Sequence, residues 1–285
     1  MAMTWQEKAI ERLLFLIALS AVTVLILITV FIFRGGWPIL AKVGVGKFVS
    51  GLKWAPSRGV FGILPMIAGS LWVTIGALIV GVPLGVACAV FLAEIAPPRV
   101  GAFVKPAIEL LAGIPSVVYG FMGLVILVPF VRTVFGGPGF SVLAAAIVLG
   151  IMILPTVVSI SYDAIRSVPR VYREGMYSLG ATRWQTISMV ILPAARSGIL
   201  ASVILGMGRA IGETMAVIMV AGNATLIPRS PLDPVRTLTS NIALEMGYAA
   251  GDHRTALFAT GIVLFVIIAI LNLIARRVLT GGVRR

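Results

Sequence analysis

Long uncharged apolar runs, separated by shorter polar or basic segments, make up most of this chain. Each run holds about 20 residues, the length of helix needed to cross the roughly 30 Å hydrocarbon core of a bilayer. The pattern therefore predicts an all-α integral membrane protein with six transmembrane helices. We place the six spans at 13–33, 70–92, 110–131, 141–162, 197–222 and 255–275.

The segments outside the spans suggest a division of the chain into two parts. Residues 1–63 are expected to hold a short amphipathic cytoplasmic helix, the first span and an external loop, and residues 64–280 the core transmembrane domain. Thr4 and Glu7 have the spacing of a capping box for the first helix. The polar, glycine-rich stretch 34–58 is expected to be a connection between spans.

Composition excludes several classes of protein. The chain is 59% hydrophobic, with a mean hydropathy of +1.09, which is too much apolar surface for a soluble domain. The net charge of +13 does not indicate nucleic-acid binding, because Lys and Arg cluster at the ends of apolar runs, where membrane topology requires them. The single cysteine, Cys88, excludes an intramolecular disulfide, and the single histidine, His253, excludes a multi-histidine metal site and is expected to be solvated.

The distribution of Lys and Arg predicts the orientation in the membrane. Six spans put both termini on one side, together with the 94–105 and 163–196 loops. That side carries 13 of the 23 Lys and Arg residues and the opposite side carries 9. Because cytoplasmic loops are enriched in Lys and Arg, we expect both termini and the 163–196 loop to be cytoplasmic.

The basic stretch 170–193 differs from the apolar runs on both sides of it. A glycine at position 180 has the place of a helix C-terminus, and Thr182 and Gln185 have the spacing of a capping box for a second helix. Pro193 is expected to end the stretch. On composition alone, a solvated loop is an equally good interpretation.

The second of these predicted helices has an amphipathic pattern. Trp184, Ile187 and Ile191 recur at helical spacing and are expected to form one apolar face that is available for docking. The stretch therefore predicts two short helices that lie on the membrane surface.

The spacing within this stretch resembles the EAA signature of ABC importer permeases, E-A-A-x3-G-x9-I-x-L-P. Glu174, Gly180, Leu192 and Pro193 match its fixed points, whereas Gly175, Met176 and Val190 replace the two alanines and the isoleucine. The resemblance implies two coupling helices, at about 163–196, that dock onto a separate ATP-binding subunit. The implied coupling residues are Glu174, Gly180, Thr182, Arg183, Trp184, Leu192 and Pro193.

The chain contains no Walker A sequence G-x-x-x-x-G-K-[ST] and no visible nucleophile–base–acid set. We therefore expect a transport subunit rather than an enzyme. No cofactor is expected in this chain, since ATP and Mg would be bound by the partner ATPase.

Two charges lie within the fifth predicted span. Arg209 and Glu213 stand four residues apart in GRAIGET, as on one face of a helix. A charge at the bilayer centre costs about 2.5–3.5 kcal/mol on insertion scales, so both must face protein or water. One interpretation is a structural ion pair. The other is a substrate pathway in which the guanidinium of Arg209 contacts an anion.

The third predicted span contains GIPSVVYG, residues 113–120. One proline and two glycines inside an apolar run predict a broken or kinked helix. Backbone groups freed at membrane depth are tolerated only where they face protein or a water-lined path. Ser116 and Tyr119 would add hydroxyl groups to such a path, and a kink used only for packing is the alternative.

Three segments together resemble the phosphate-specific ABC importer permeases: LLAGIPSVVYG, LGIMILP and GRAIGETMAV. GETMAV is more similar to the PstC subunit of that family than to its PstA partner. The resemblance covers about 62–223. It implies the type I permease fold in a bacterial inner membrane, and it identifies Arg209 and Glu213 as residues tied to transport.

The same resemblance implies the partners. These are a PstA-like second permease subunit, two PstB-like ATP-binding subunits, a PstS-like phosphate-binding protein, phosphate and membrane lipid. A permease for another oxyanion, such as sulfate, molybdate or phosphonate, remains an alternative. An ATP-independent anion carrier is a further one, although a secondary carrier has no use for a coupling signature.

Overall fold

The apolar runs form long helices in the structure, a computed structural model that describes residues 5–281. Within this part of the chain the α-helices are, in order, α1 (Trp5–Val43), α2 (Val45–Ser50), α3 (Leu64–Val90), α4 (Pro98–Ala112), α5 (Ser116–Met122), α6 (Val128–Phe135), α7 (Val142–Arg166), α8 (Arg170–Ser178), α9 (Arg183–Thr186), α10 (Leu192–Gly212), α11 (Met215–Val220), α12 (Leu238–Glu245) and α13 (Gly251–Gly281). A small antiparallel hairpin pairs β1 (Trp54–Ala55) with β2 (Val60–Phe61) across the 3-10 turn Pro56–Arg58.

Six helical segments of the described residues are long and apolar enough to cross a bilayer. They are Ile10–Val43, Leu64–Ile95, Ser116–Phe135, Val142–Arg166, Arg183–Gly212 and Gly251–Ile274. The number of spans and the all-α class are confirmed.

The first span is longer than the apolar pattern indicates. The stretch after residue 33 was predicted to be a connection, but α1 continues through it to Val43. The reason is helix packing, because α13 crosses α1 at Gly35 and Gly36. A Cβ on Gly36 would lie 2.6 Å from the Ala259 backbone nitrogen, so these glycines permit close approach of two helices rather than a turn.

The N-terminal helix also differs from the prediction. Thr4 lies outside the described residues, whereas Glu7 belongs to α1. Since α1 runs unbroken from Trp5 into the first span, the expected short helix is the beginning of that long helix.

Two further boundaries shift around the second and third spans. The second begins at Leu64 rather than at residue 70. The segment 94–105 was predicted to be a loop, but it is helical from Pro98, where α4 begins. Proline is suited to the first turn of a helix. Because α4 extends to Ala112, the third span begins at Ser116 rather than at residue 110.

Among residues 5–281, three π-helical turns each end two residues before a proline. The turns are Phe91–Ile95, Gly123–Leu127 and Ile187–Ile191, and the prolines are Pro97, Pro129 and Pro193. At Pro129 and Pro193 the helix continues, and there the proline lacks an N–H and its ring crowds the carbonyl one turn earlier, so a wider i→i+5 turn relieves that crowding. At Pro97 the helix has ended, because Ala96 and Pro97 have extended backbones. Pro193, the predicted end of the stretch 170–193, lies within a continuous helix, because the chain is helical from Arg183 through Gly212.

The core of the bundle lies around α7, against which α3 and α10 pack. The backbones approach closely, since a Cβ on Gly81 of α3 would lie 2.7 Å from the Gly150 carbonyl oxygen of α7. A second apolar cluster joins α1, the hairpin and α13, and a third surrounds the ends of α3 and α7 beside α9. The helix α7 therefore contacts both Arg209, through Thr156, and the second coupling helix, through the third cluster.

Candidate functional site

Two helix breaks meet inside the bundle. The predicted break in GIPSVVYG is confirmed: α4 ends at Ala112, and α5 begins at Ser116. The second break separates α10 from α11. The two segments that follow the breaks pack together, because a Cβ on Gly120 of α5 would lie 2.7 Å from the Cα of Ala216 in α11.

Arg209 and Glu213 are four residues apart, but they do not share a helix. The helix α10 ends at Gly212, and Glu213 has an extended backbone with ψ of 134°. The Ala216 N–H donates to the Glu213 Oε1 at 3.1 Å, so this carboxylate caps the start of α11. None of the ion pairs between described residues joins Arg209 to Glu213.

The guanidinium of Arg209 is half-buried and has most of its hydrogen-bonding capacity unused by the described residues. Its Nη1 donates to the Thr156 Oγ1 of α7 over a long 3.5 Å, whereas a guanidinium has five N–H donors. Ala210, the residue after Arg209, belongs to the core cluster against which Tyr119 of α5 packs. The structure thus places Arg209 close to the break in the third span.

The two predicted hydroxyl residues differ in their surroundings. The Tyr119 hydroxyl donates to the Leu111 carbonyl oxygen at 2.7 Å, across the break between α4 and α5. It therefore satisfies a carbonyl at the end of α4 rather than standing free. Ser116 is half-buried at the first position of α5, one turn before Tyr119 and on the same side of that helix.

Two threonines that the sequence did not single out complete this site. Thr156 follows the proline of α7 and accepts from Arg209, and the Thr239 Oγ1 of α12 donates to the Glu213 carbonyl oxygen at 2.9 Å. Thr239 lies between the fifth and sixth predicted spans, so only its position in the fold connects it to the break at Glu213. The only local sequence signal for Thr156 was a weak one: Pro155, directly before it, lies inside a helix.

The predicted turn between the two coupling helices is confirmed. Gly180 follows α8 with a φ of 79°, in the left-handed region that favours glycine. Thr182 and Gln185 form the predicted capping box: the Gln185 side chain accepts from the Thr182 N–H at 2.8 Å, and the Thr182 hydroxyl accepts from the Gln185 N–H at 3.3 Å. Glu174 and Arg183 are exposed on either side of this turn.

The predicted apolar docking face of the second coupling helix is only partly correct. Trp184 is 64% exposed, but Ile187 and Ile191 are buried in the cluster at the ends of α3 and α7. Both isoleucines lie in the π-helical turn, which changes the register of the helix. Leu192 packs against the same cluster, and Pro193 is exposed in the first turn of α10.

A charged cluster between α12 and α13 was also missed. The buried carboxylate of Glu245 accepts from the Arg236 Nη1 at 2.6 Å and from the Trp54 Nε1 at 2.8 Å, and it lies 2.7 Å from the His253 Nε2. The expectation that His253 is solvated was therefore wrong. The four residues come from separate segments, so the sequence offered no local signal for this cluster.

Comparison with known proteins decides the family. Residues 81–281 match the family described as "Binding-protein-dependent transport system inner membrane component". The chain belongs to that family. Its relatives include the probable ABC transporter permease YqgH of Bacillus subtilis, 46% identical and aligned over 91% of this chain and 86% of the relative.

Several relatives are phosphate transport system permease proteins named PstC. That of Mesorhizobium japonicum is 38% identical, covering 91% of this chain and 86% of the relative. That of Haemophilus influenzae is 35% identical, covering 97% and 94%. Within its family the chain is therefore PstC-like.

Solved structures confirm the fold of ABC importer permeases. A bacterial alginate ABC transporter chain superposes with a TM-score of 0.66 at 18% identity, covering 96% of this chain and 98% of that chain. A chain of the MetNI methionine ABC transporter in an inward-facing conformation gives 0.62 at 18% identity, covering 81% and 99%. At this identity the likeness concerns the fold alone.

Proposed function

We propose that this chain is the membrane-spanning permease subunit of an ATP-driven importer that moves inorganic phosphate across the membrane. The PstC relatives support phosphate as the substrate, since they align with nearly the whole chain. The observation that carries the proposal is Arg209, a permanent positive charge among apolar spans, beside two helix breaks.

The chemistry of Arg209 suits an oxyanion. A guanidinium stays protonated and can donate paired hydrogen bonds to a phosphate oxygen pair. In the described structure its only side-chain hydrogen bond is the long one to Thr156, and Glu213 caps α11 instead of pairing with it. We infer that Arg209 meets the anion, while Ser116, Tyr119 and Glu213 shape the path at the two breaks.

The energy for transport would come from other chains. We infer that the exposed surface of α8 and α9, with Glu174, Arg183 and Trp184, docks onto PstB-like ATPase subunits, which bind ATP and Mg. Gly180 sets the turn, whereas Leu192 and Pro193 fix the start of α10. A PstA-like permease and a PstS-like phosphate-binding protein would complete the importer. Both termini would lie in the cytoplasm of a bacterium, on the inner side of the cytoplasmic membrane.

Reconstitution tests this function. The chain is purified with its candidate partner permease and ATPase subunits, placed in lipid vesicles, and supplied with the phosphate-binding protein. We expect uptake of labelled phosphate that requires ATP and that excess sulfate, molybdate or phosphonate does not inhibit. Uptake of one of those anions instead would overturn phosphate as the substrate, and uptake without ATP would overturn the importer class.

A further inference from the structure

One arginine of the first coupling helix joins that helix to the second span. The Arg173 Nη2 of α8 lies 2.6 Å from the Glu94 Oε1, and its Nε donates to the same oxygen at 3.2 Å. Glu94 lies in the π-helical turn that ends the second span. The pair is well shielded, with 17% of the Arg173 side chain and 8% of the Glu94 side chain exposed.

The same guanidinium also binds the end of the fourth span. Its Nη1 donates to the Val168 carbonyl oxygen at 2.6 Å, and its Nη2 donates to the Ile165 carbonyl oxygen at 3.0 Å. Carbonyls at a helix C-terminus lack partners within the helix and attract positive charge. One side chain therefore holds the ends of α3 and α7 together and attaches α8 to both.

The second coupling helix reaches the same point. Arg183, the first residue of α9, donates from its Nη2 to the Glu94 carbonyl oxygen. Both coupling helices are thus attached to Glu94, one through its carboxylate and the other through its backbone. Arg166 and Arg170 lie beside this cluster but are exposed.

A single helix leads from this cluster to the candidate pathway. Ile165 and Thr156 are both in α7, about 14 Å apart at a rise of 1.5 Å per residue. Thr156 accepts from Arg209. Because α3 and α10 pack against α7 and packed interiors transmit strain, a displacement of the Ile165 end of α7 can reach Thr156.

We propose that Arg173 is a positioning residue that transmits movement of the coupling helices to the second and fourth spans. The proposal rests on the ATP-driven import inferred above. Without the Arg173 clamp, the ATPase subunits still bind the exposed surface of α8 and α9, but their movement no longer displaces α3 and α7. Hydrolysis and transport then become uncoupled.

The test measures phosphate moved per ATP hydrolysed in vesicles that contain the complete importer. We expect Arg173→Gln and Glu94→Gln each to lower this ratio at least fivefold, while the ATPase subunits still co-purify. The double variant should be no worse than either single variant, because both remove one clamp. Arg173→Lys should recover part of the ratio, since lysine keeps the charge but cannot also reach both carbonyls.

The matched control is Arg99→Gln, at an exposed arginine of α4 outside the docking surface, which should leave the ratio unchanged. An unchanged ratio in Arg173→Gln would overturn the proposal. Loss of the ATPase subunits, with uptake and hydrolysis falling together, would identify a plain structural anchor and also overturn it. Should Arg173→Gln fail to fold or to insert in the membrane, Glu94→Gln and Arg173→Lys decide by the same ratio of phosphate moved to ATP hydrolysed.

The outcome is separable from the proposed substrate. If the unmodified importer moves another anion, phosphate as the substrate is wrong, but the ratio measured with that anion still tests Arg173. If the unmodified importer moves phosphate and Arg173→Gln keeps the normal ratio, only the role of Arg173 is wrong.

Discussion

At the scale of single residues, Arg209 and Glu213 show that a four-residue spacing does not produce an ion pair when the helix breaks between the two residues. On one continuous helix, residues four apart face each other and pair. Because α10 ends at Gly212, the carboxylate of Glu213 is used for the N-terminus of α11 instead. The charge of Arg209 is then not neutralised by an ion pair with its nearest acidic neighbour in sequence.

This geometry predicts the result of removing both charges. Arg209→Gln should lower phosphate uptake at least about tenfold, the change expected from a loss of about 1.4 kcal/mol in charge-assisted hydrogen bonding. Adding Glu213→Gln should not restore uptake, and Arg209→Lys should retain a part of it. The measurement is labelled phosphate uptake at equal membrane abundance. Arg196→Gln, at an exposed arginine of the same helix, is the control, and near-normal uptake by the double variant would favour a structural pair.

A second residue-scale prediction concerns Gly180. A Cβ at this position would meet nothing within 4 Å, so the constraint is the backbone angle alone. A left-handed conformation costs a non-glycine residue about 1–2 kcal/mol, and a β-branched residue is the least suited to it. Gly180→Val should therefore abolish ATP-driven uptake while the protein still inserts, because α9 is displaced from α8.

Two variants at open glycines make this result specific. Gly180→Asn should keep most of the uptake, since asparagine tolerates the left-handed region. Gly175→Ala, within α8 and equally free of neighbours, should be neutral. Normal uptake by Gly180→Val would mean that the turn is not needed for docking.

At the scale of elements, short segments between the spans are held by long-range polar contacts. The cluster around Glu245 connects the hairpin through Trp54, α12 through Glu245 itself, and α13 through His253, with Arg236 from the preceding loop. A buried carboxylate needs such partners, because an unpaired charge away from water is costly.

Removing this carboxylate should therefore destabilise the protein markedly. Breaking a buried ion pair by removing one partner costs about 3–5 kcal/mol. We expect Glu245→Ala to lower the melting temperature of the detergent-purified protein by several degrees. Asp252→Asn is the control, since the Lys42–Asp252 pair is exposed and such pairs are worth about 0–1 kcal/mol. Equal effects of both changes would contradict a special role for Glu245.

At the scale of the whole molecule, six spans put the coupling helices and the Glu245 cluster at opposite ends of the bundle. The chain passes from α9 through α10 before it reaches α12. From the excess of Lys and Arg we expect the coupling end to be cytoplasmic.

Cysteine labelling tests this orientation. In a Cys88→Ser background, Ser167→Cys lies at the coupling end and Tyr248→Cys at the other, and both positions are exposed. A membrane-impermeant maleimide should label Tyr248→Cys in intact cells and Ser167→Cys only after permeabilisation. The reverse pattern would contradict both the orientation and the coupling assignment.

Several features of the protein followed from the sequence by itself. The six spans did, because in lipid each apolar segment must satisfy its backbone groups internally, so that length and hydropathy are sufficient. The Gly180 turn and the capping box at Thr182 did as well, since their hydrogen bonds join residues only a few positions apart. The division at residue 63 and the role of each pathway residue remain predictions.

The tertiary structure decided what depends on distant segments. Whether Gly36 bends the chain or packs a helix depended on α13, more than 200 residues later. Whether Ile187 faces a partner or the core depended on a π-helical turn and the cluster beside it. The partners of Glu94, Glu245 and Arg209 likewise come from other elements. A local pattern specifies which groups need partners, but only the packed bundle determines which partners reach them.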